Sequence, residues 1–135
     1  MLSEALLRSA AEYNLLPIDY YKREEFVLRN AYITAEGALE LTMDRLKRTV
    51  KGTNCLILGY GRIGKFLARL LLNLHASVTV AARKGKDLVQ AELDGCIPCP
   101  LRDLAGCLPR CDVLYNTIPH LILDQTLLPL VPKSC

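Results

Sequence analysis

Three glycines have the spacing to do chemistry before any other residue is considered. Gly59, Gly61 and Gly64 lie in Leu58-Gly-Tyr-Gly-Arg-Ile-Gly64, a G-x-G-x-x-G pattern. Each glycine of that pattern has its own task at a dinucleotide. The first makes a tight turn, the second lets main chain approach a pyrophosphate, and the third lets a helix close on a strand. The start of that helix offers free N–H groups and a partial positive charge to the phosphates. Gly59, Tyr60, Gly61, Arg62, Ile63 and Gly64 are therefore candidate cofactor contacts.

Glycines also cluster in ordinary loops, so the flanking residues decide the weight of the pattern. An apolar run, Cys55 to Leu58, precedes it, and Ile63, Phe66, Leu67, Leu70, Leu71 and Leu74 follow at helical spacing. A second apolar run, Ser77 to Ala82, follows at the distance a βαβ unit requires. The expected unit is strand, glycine turn, helix, strand. His75 is expected at the end of the helix, where a cation suits the dipole.

The end of the second strand carries the cofactor preference. An acidic residue there would take the ribose hydroxyls of NAD. The sequence has Ala82-Arg-Lys84 instead, with Lys86 close by. A guanidinium can grip a 2′-phosphate, so Arg83 and Lys84 favour NADP, with NAD as the alternative. The bland reading is that these are solvated loop charges.

Further along, Lys86 to Leu93 reads as a helix ended by Asp94-Gly95. Cys96-Ile97 reads as a short third strand interrupted by Pro98, Leu101 to Leu108 as a short helix, and Cys111 to Thr117 as a fourth strand. Ligands of an open α/β sheet lie beyond the carboxyl ends of its strands. Asn116, Thr117, Ile118 and Pro119 then fall beside the cofactor. Asp124 to Leu130 reads as a helical turn. The fold class is α/β, a doubly wound parallel sheet that is incomplete on its C-terminal side and preceded by N-terminal helices. Residues 51–135 form the dinucleotide domain, and residues 1–50 a helical segment and linking helix.

In that N-terminal segment, Leu2 to Tyr13 is amphipathic with Ser3 placed to cap it. Leu15 to Ile18 is an edge strand or loop, because Pro17 bars a central strand. Asp19 is placed to cap a helix from Tyr20 to about Arg29. Thr34 is placed to cap another from Ala35 to about Thr49, with Ala35, Ala38, Leu39, Thr42, Met43 and Leu46 on one face. Gly37 early in that helix costs about 1 kcal/mol against alanine, which implies a close approach by another helix or by a ligand.

Hydride transfer draws its chemistry from the cofactor, but a proton must still be moved. His120 is the histidine nearest the expected cleft, and Glu36 is an acid near the start of the expected third helix. Each has an ordinary alternative, a solvated loop histidine and a first-turn helix acid, and no catalytic residue is assigned.

The chain has 135 residues, a net charge of +3 and a scattered set of basic side chains. These figures fit one domain and give no support to nucleic-acid binding. No apolar run is long enough to span a bilayer, Glu4 and Arg8 interrupt any signal-peptide core, and a cytoplasmic protein is expected. Six cysteines are present: Cys55, Cys96, Cys99, Cys107, Cys111 and Cys135. Cys55 reads as a small buried hydrophobe. Cys96, Cys99, Cys107 and Cys111 read as reduced structural thiols, with a zinc site or a redox pair as alternatives. No metal is expected.

Several segments together resemble one family. They are Asp19 to Leu39 with its Thr-Ala-Glu-Gly37, the Leu58 to Gly64 turn, the Ala81-Ala-Arg83 strand end, and Cys111-Asp-Val-Leu-Tyr-Asn-Thr-Ile-Pro119. In this order they resemble the A-type component of dipicolinate synthase. The glycine fingerprint alone is similar to that of D-isomer specific 2-hydroxyacid dehydrogenases. The resemblance implies a Rossmann domain that binds NADP and oxidises a dihydrodipicolinate-type ring to dipicolinate, the calcium-chelating acid of bacterial spores. It also implies a second subunit for a partner. It implies that Gly59, Gly61, Gly64 and Arg83 bind cofactor, that Asn116 to Pro119 line its nicotinamide side, and that Asn30, Thr34, Glu36 and Gly37 face the substrate cleft. Members of that family are about twice as long, so a fragment, a truncated reading frame or a reduced relative is expected. An exposed sheet edge would then favour a homodimer.

Overall fold

The computed structural model describes residues 3–133 and 135. Leu2, at the start of the expected first helix, and Ser134 lie outside the described residues.

The core is a four-stranded parallel sheet, β1 (Asn54–Leu58), β2 (Ser77–Ala82), β3 (Ile97–Pro100) and β4 (Val113–Asn116), in the order β3-β2-β1-β4. In register, Leu58 of β1 stands between Ala81 of β2 and Asn116 of β4. The central strand β1 is an unbroken apolar run because both of its faces are covered. Its Cys55 and Ile57 face one layer, and its Leu56 and Leu58 the other.

The first layer holds α2 (Glu24–Arg45), α3 (Arg62–Asn73) and α4 (Gly85–Leu93). Leu67, Ala68 and Leu71 of α3, Ala35 of α2 and Ala91 of α4 bury against Ile57, Val78 and Val80. The second layer holds α5 (Leu104–Cys107) with its flanking 3₁₀ turns, and the C-terminal segment, where Ile118, Ile122, Leu123 and Leu127 close over Leu56 and Leu58. Helices on both faces of a parallel sheet are the doubly wound arrangement. The observed strand order is the first four places of the six-strand Rossmann order 3-2-1-4-5-6.

The first helix, α1 (Glu4–Glu12), is capped by Ser3, whose hydroxyl accepts from the Leu6 N–H at 3.3 Å. Residues 14–19 are loop, so the edge-strand option for Leu15 to Ile18 is not taken.

The largest correction concerns residues 20–49. Two helices meeting near Thr34 are expected from the sequence. A 3₁₀ turn (Tyr20–Lys22) is followed instead by one 22-residue helix, α2, with Arg23 at its N-cap. Thr34 is not a cap. Its hydroxyl donates to the Asn30 carbonyl one turn back at 2.8 Å, as a helix-interior threonine does. Gly37 lies mid-helix, and nothing stands within 4 Å of where its Cβ would be, so no close approach explains it. Packing on α3 carries the helix through these residues. Met43, expected on the buried face, is exposed. The helix stops at Arg45, short of Thr49.

Two smaller corrections follow from proline and backbone geometry. β3 does not stop at Pro98; it runs on to Pro100, because an edge strand bonded only to β2 has a free side for a residue without an N–H. His75 does not end α3; it follows the Leu74 C-cap with φ of 59°, in the left-handed region.

Candidate dinucleotide-binding site

The glycine turn sits beyond the carboxyl end of β1, between β2 and β4. Gly59 has φ of 92°, a left-handed conformation that side chains resist, and its N–H donates to the Ala81 carbonyl of β2 at 2.8 Å. A Cβ on Gly59 would stand 2.8 Å from Ile118 Cγ1 and 2.9 Å from Thr117 Oγ1. A Cβ on Gly64 would overlap the Gly59 carbonyl oxygen, which is the close helix–strand approach. Gly61 differs from both. It stands at the N-cap of α3 with open space where a Cβ would be. No side chain of its own fills that space, so a phosphate can meet the N–H groups of α3's first turn.

β4 buttresses this turn. The Thr117 hydroxyl and N–H both donate to the Leu58 carbonyl, at 2.8 and 3.0 Å. The Asn116 carboxamide oxygen accepts from the Ile118 N–H at 3.1 Å and folds the chain back over the glycines. The expected group Asn116 to Pro119 therefore meets the glycine turn, with Thr117 and Ile118 in direct packing range.

A cleft of about 350 Å³ opens on the β2 side, lined by Gly59, Tyr60, Ala82, Arg83, Lys84, Asp87, Leu101, Ile118, His120 and Ile122. Arg83 and Lys84 are exposed at its rim, just past β2. His120 lines this same cleft, so it is placed with the basic rim. Asp87, in the first turn of α4, is an acid in the cleft that sequence reasoning missed. It lies in the helix after the strand and not at the strand end, and only the fold turns it back.

On the other side of the turn a smaller cleft of about 230 Å³ is lined by Val27, Asn30, Ala31, Gly61, Arg62, Ile63 and Thr117. Asn30 is thus brought to the glycines. Thr34 and Gly37 lie one and two turns further along the same flank of α2, and Glu36 points from the opposite flank. The four residues do not gather at one point.

Two motif side chains are committed elsewhere. The Tyr60 ring is buried, and its hydroxyl donates to Asp94 at 2.6 Å, where Asp94 caps α4. Burial first, then the bond to Asp94, pushes the phenol's pKa up. Arg62 makes a two-point contact with Glu24 at 2.9 and 2.7 Å, clamping the start of α2 to the start of α3. A second tie between layers is Thr42 Oγ1 to the Tyr115 hydroxyl at 2.7 Å, joining α2 to β4.

A parallel sheet whose glycine turn opens between β1 and β4 is the arrangement of nicotinamide dinucleotide domains. Residues 25–128 match the D-isomer specific 2-hydroxyacid dehydrogenase, NAD binding domain, and the chain belongs to that family. Within this class it is a homologue of the dipicolinate synthase A component. It is 31% identical to that protein of Bacillus subtilis (strain 168) over 135 residues, covering 98% of this chain and 46% of the relative. The crystal structure of the same component from Bacillus halodurans superposes with a TM-score of 0.89 at 29% identity, over 98% of this chain and 46% of that one. The corresponding Bacillus subtilis structure gives 0.89 at 28% identity, over 99% and 45%. The chain therefore spans about half the length of these relatives.

Among the described residues no helix is long and apolar enough to cross a membrane. Among them, too, no group of three or more His, Cys, Asp or Glu side chains is placed to hold a metal, and the four central cysteines do not form a zinc knuckle.

Proposed function

We propose that this chain binds NADP(H) and forms the cofactor-holding part of a dipicolinate synthase-like oxidoreductase. The observation that carries the reading is the glycine turn. Gly59 and Gly64 are filled by their surroundings, and of the three only Gly61 is open toward the helix start. Arg83 and Lys84 at the rim of the adjoining cleft supply charge for a 2′-phosphate. Asp87 in the same cleft can accept from a ribose hydroxyl, which keeps NAD as the alternative cofactor.

The reaction we infer is removal of a hydride and a proton from a dihydrodipicolinate-type ring, the proton passing to solvent, giving the aromatic diacid in sporulation. The nicotinamide would accept the hydride. The chain's own part is to hold the pyrophosphate at α3 and to place the nicotinamide beyond β4, near Asn116 to Pro119 and Asn30. A second subunit of the dipicolinate synthase type is the proposed partner. A homodimer is the proposed assembly, with β4 an edge strand among the described residues. Six free cysteines suit a reducing, cytoplasmic setting.

Titration with NADPH and then NADH, followed by nicotinamide fluorescence, tests this. Tighter binding of NADPH supports the reading, and binding of neither refutes it. The alternative reading is a binding module without its own turnover. Cofactor binding with no oxidation of the dihydro ring, even when the partner component is supplied, selects that reading.

A further inference from the structure

The dinucleotide site uses none of the cysteines. Four of them, Cys55, Cys99, Cys107 and Cys111, line a separate cavity of about 360 Å³ beneath α5. Cys107 Sγ lies 2.9 Å from Cys99 Sγ, and Cys111 Sγ lies 3.4 Å from Cys135 Sγ. Cys99 is buried on the edge strand β3, and half-buried Cys107 is the last residue of α5. A disulfide bond of about 2.05 Å needs each sulfur of the closer pair to move only about 0.4 Å.

β3 also has a mechanical reason for a staple. Pro98 and Pro100 have no N–H, so the free side of this edge strand cannot gain a second ladder in place of a covalent tie. It pairs with β2 alone. A covalent link to α5 would restrain a strand that is bonded on one side alone. Leu101, two residues beyond Cys99, walls the dinucleotide cleft.

We propose that Cys99 and Cys107 are a reversible disulfide site, closed by a low-molecular-weight disulfide that enters the thiol-lined cavity and staples β3 to α5. Cys107, the more accessible sulfur, attacks as thiolate one sulfur of the reagent RSSR. The reagent's S–S bond breaks, and RS⁻ leaves and takes up a proton. The Cys99 thiol gives up its proton, and its sulfur attacks the Cys107 sulfur, breaking the mixed disulfide and releasing a second RSH. The two protein thiols lose two electrons and two protons, and RSSR gains them. Burial, and then the neighbouring Cys107, pushes the Cys99 pKa up to about 12. The second step is therefore slow at neutral pH and faster in alkali.

The site stands apart from the cofactor reading and is tested on the whole chain. The protein is treated with oxidised glutathione, alkylated, and cut by trypsin without reduction. Arg102 separates the two cysteines, so closure leaves peptide 87–102 joined to peptide 103–110. The joined species should be two hydrogen masses lighter than the sum and should vanish with dithiothreitol. The oxidised protein should melt about 5 to 10 °C higher, as expected for closing a loop of this length. Cys107→Ser should abolish the joined peptides, and Cys96→Ser should leave them. Retention of free thiols, a stable glutathione adduct on Cys107, a link between chains, or a link that survives in Cys99→Ala would each overturn the proposal.

Discussion

Replacing Gly61 and Gly64 separately by alanine should divide the site into its structural and its binding parts. At Gly64 the new methyl would meet the Gly59 carbonyl oxygen, with the Gly59 carbonyl carbon at 3.3 Å and Thr117 Oγ1 at 3.5 Å. The first two are backbone, and Gly59 is itself pinned to Ala81. Relief requires α3 to move away from β1, and overpacking of this kind costs about 1–3 kcal/mol. The melting temperature should fall by about 4 to 11 °C. At Gly61 nothing lies within 4 Å of the added methyl, and φ is −81°, which alanine adopts freely. The loss of N-cap preference and the gain in unfolded-chain entropy are each a few tenths of a kcal/mol, so stability should hold within about 0.5 kcal/mol. The methyl would, however, occupy the space through which a pyrophosphate approaches. NADPH affinity should drop at least about tenfold, or 1.4 kcal/mol. Thermal melts and fluorescence titrations on both variants read the two quantities independently. Undiminished NADPH affinity in Gly61→Ala would refute the assignment of the turn, and so would equal destabilisation by the two changes.

Other substitutions probe the rim and the ties between layers. Arg83→Asp should weaken NADPH about 10–100-fold and NADH much less, because a charge-assisted contact is worth about 1.5–3 kcal/mol; equal losses in parallel titrations would remove Arg83 from the phosphate. Asp87→Asn should weaken NADH more than NADPH if this acid takes a ribose hydroxyl, again read by titration. Tyr60→Phe should cost about 1 kcal/mol in urea unfolding through the lost bond to Asp94, without changing cofactor affinity. The Tyr60 and Tyr115 phenols are both held above their ordinary pKa, mainly by burial. Their contribution is fully present below about pH 10 and is lost as pH rises through the folded values, so alkaline unfolding should be shallower in Tyr60→Phe and Tyr115→Phe.

The parts of the fold that were legible in the sequence share one property: their pattern is local and repeated. β1, α3, β2 and α4 each carry several turns or alternations bounded by glycine or a cap, and they stand within a residue or two of expectation. α2 was not legible as one helix, because Asn30, Thr34 and Gly37 are residues that elsewhere end or begin helices. Their cost is about 1 kcal/mol or less each, and the burial of Ala31, Ala35 and Thr42 in a helix tied by Arg62 to α3 outweighs it. β3 was cut short for a similar reason, since a proline is costly only where its missing N–H is needed. The cleft's Asp87, the Tyr60–Asp94 bond and the paired thiols depend on contacts between separate elements, and no spacing rule encodes those.

The site itself shows why two motifs almost sixty residues apart read as one. The glycine turn needs Gly59 in a left-handed conformation, and nothing in the turn's own sequence holds it there. Thr117 does so from β4, placing its N–H and hydroxyl on the Leu58 carbonyl just before the turn. Its neighbour Ile118 occupies the volume that a side chain at Gly59 would need. The segment from Asn116 to Pro119 is therefore part of the machinery that shapes the phosphate site, whatever it also presents to a nicotinamide. Thr117→Val keeps the side chain's shape and removes the hydroxyl. It should loosen the turn and lower NADPH affinity several-fold, while the Thr117 N–H bond preserves the β1–β4 register. If affinity stays at the wild-type level, Gly59 holds its conformation without the hydroxyl and the coupling between the two motifs is only one of packing.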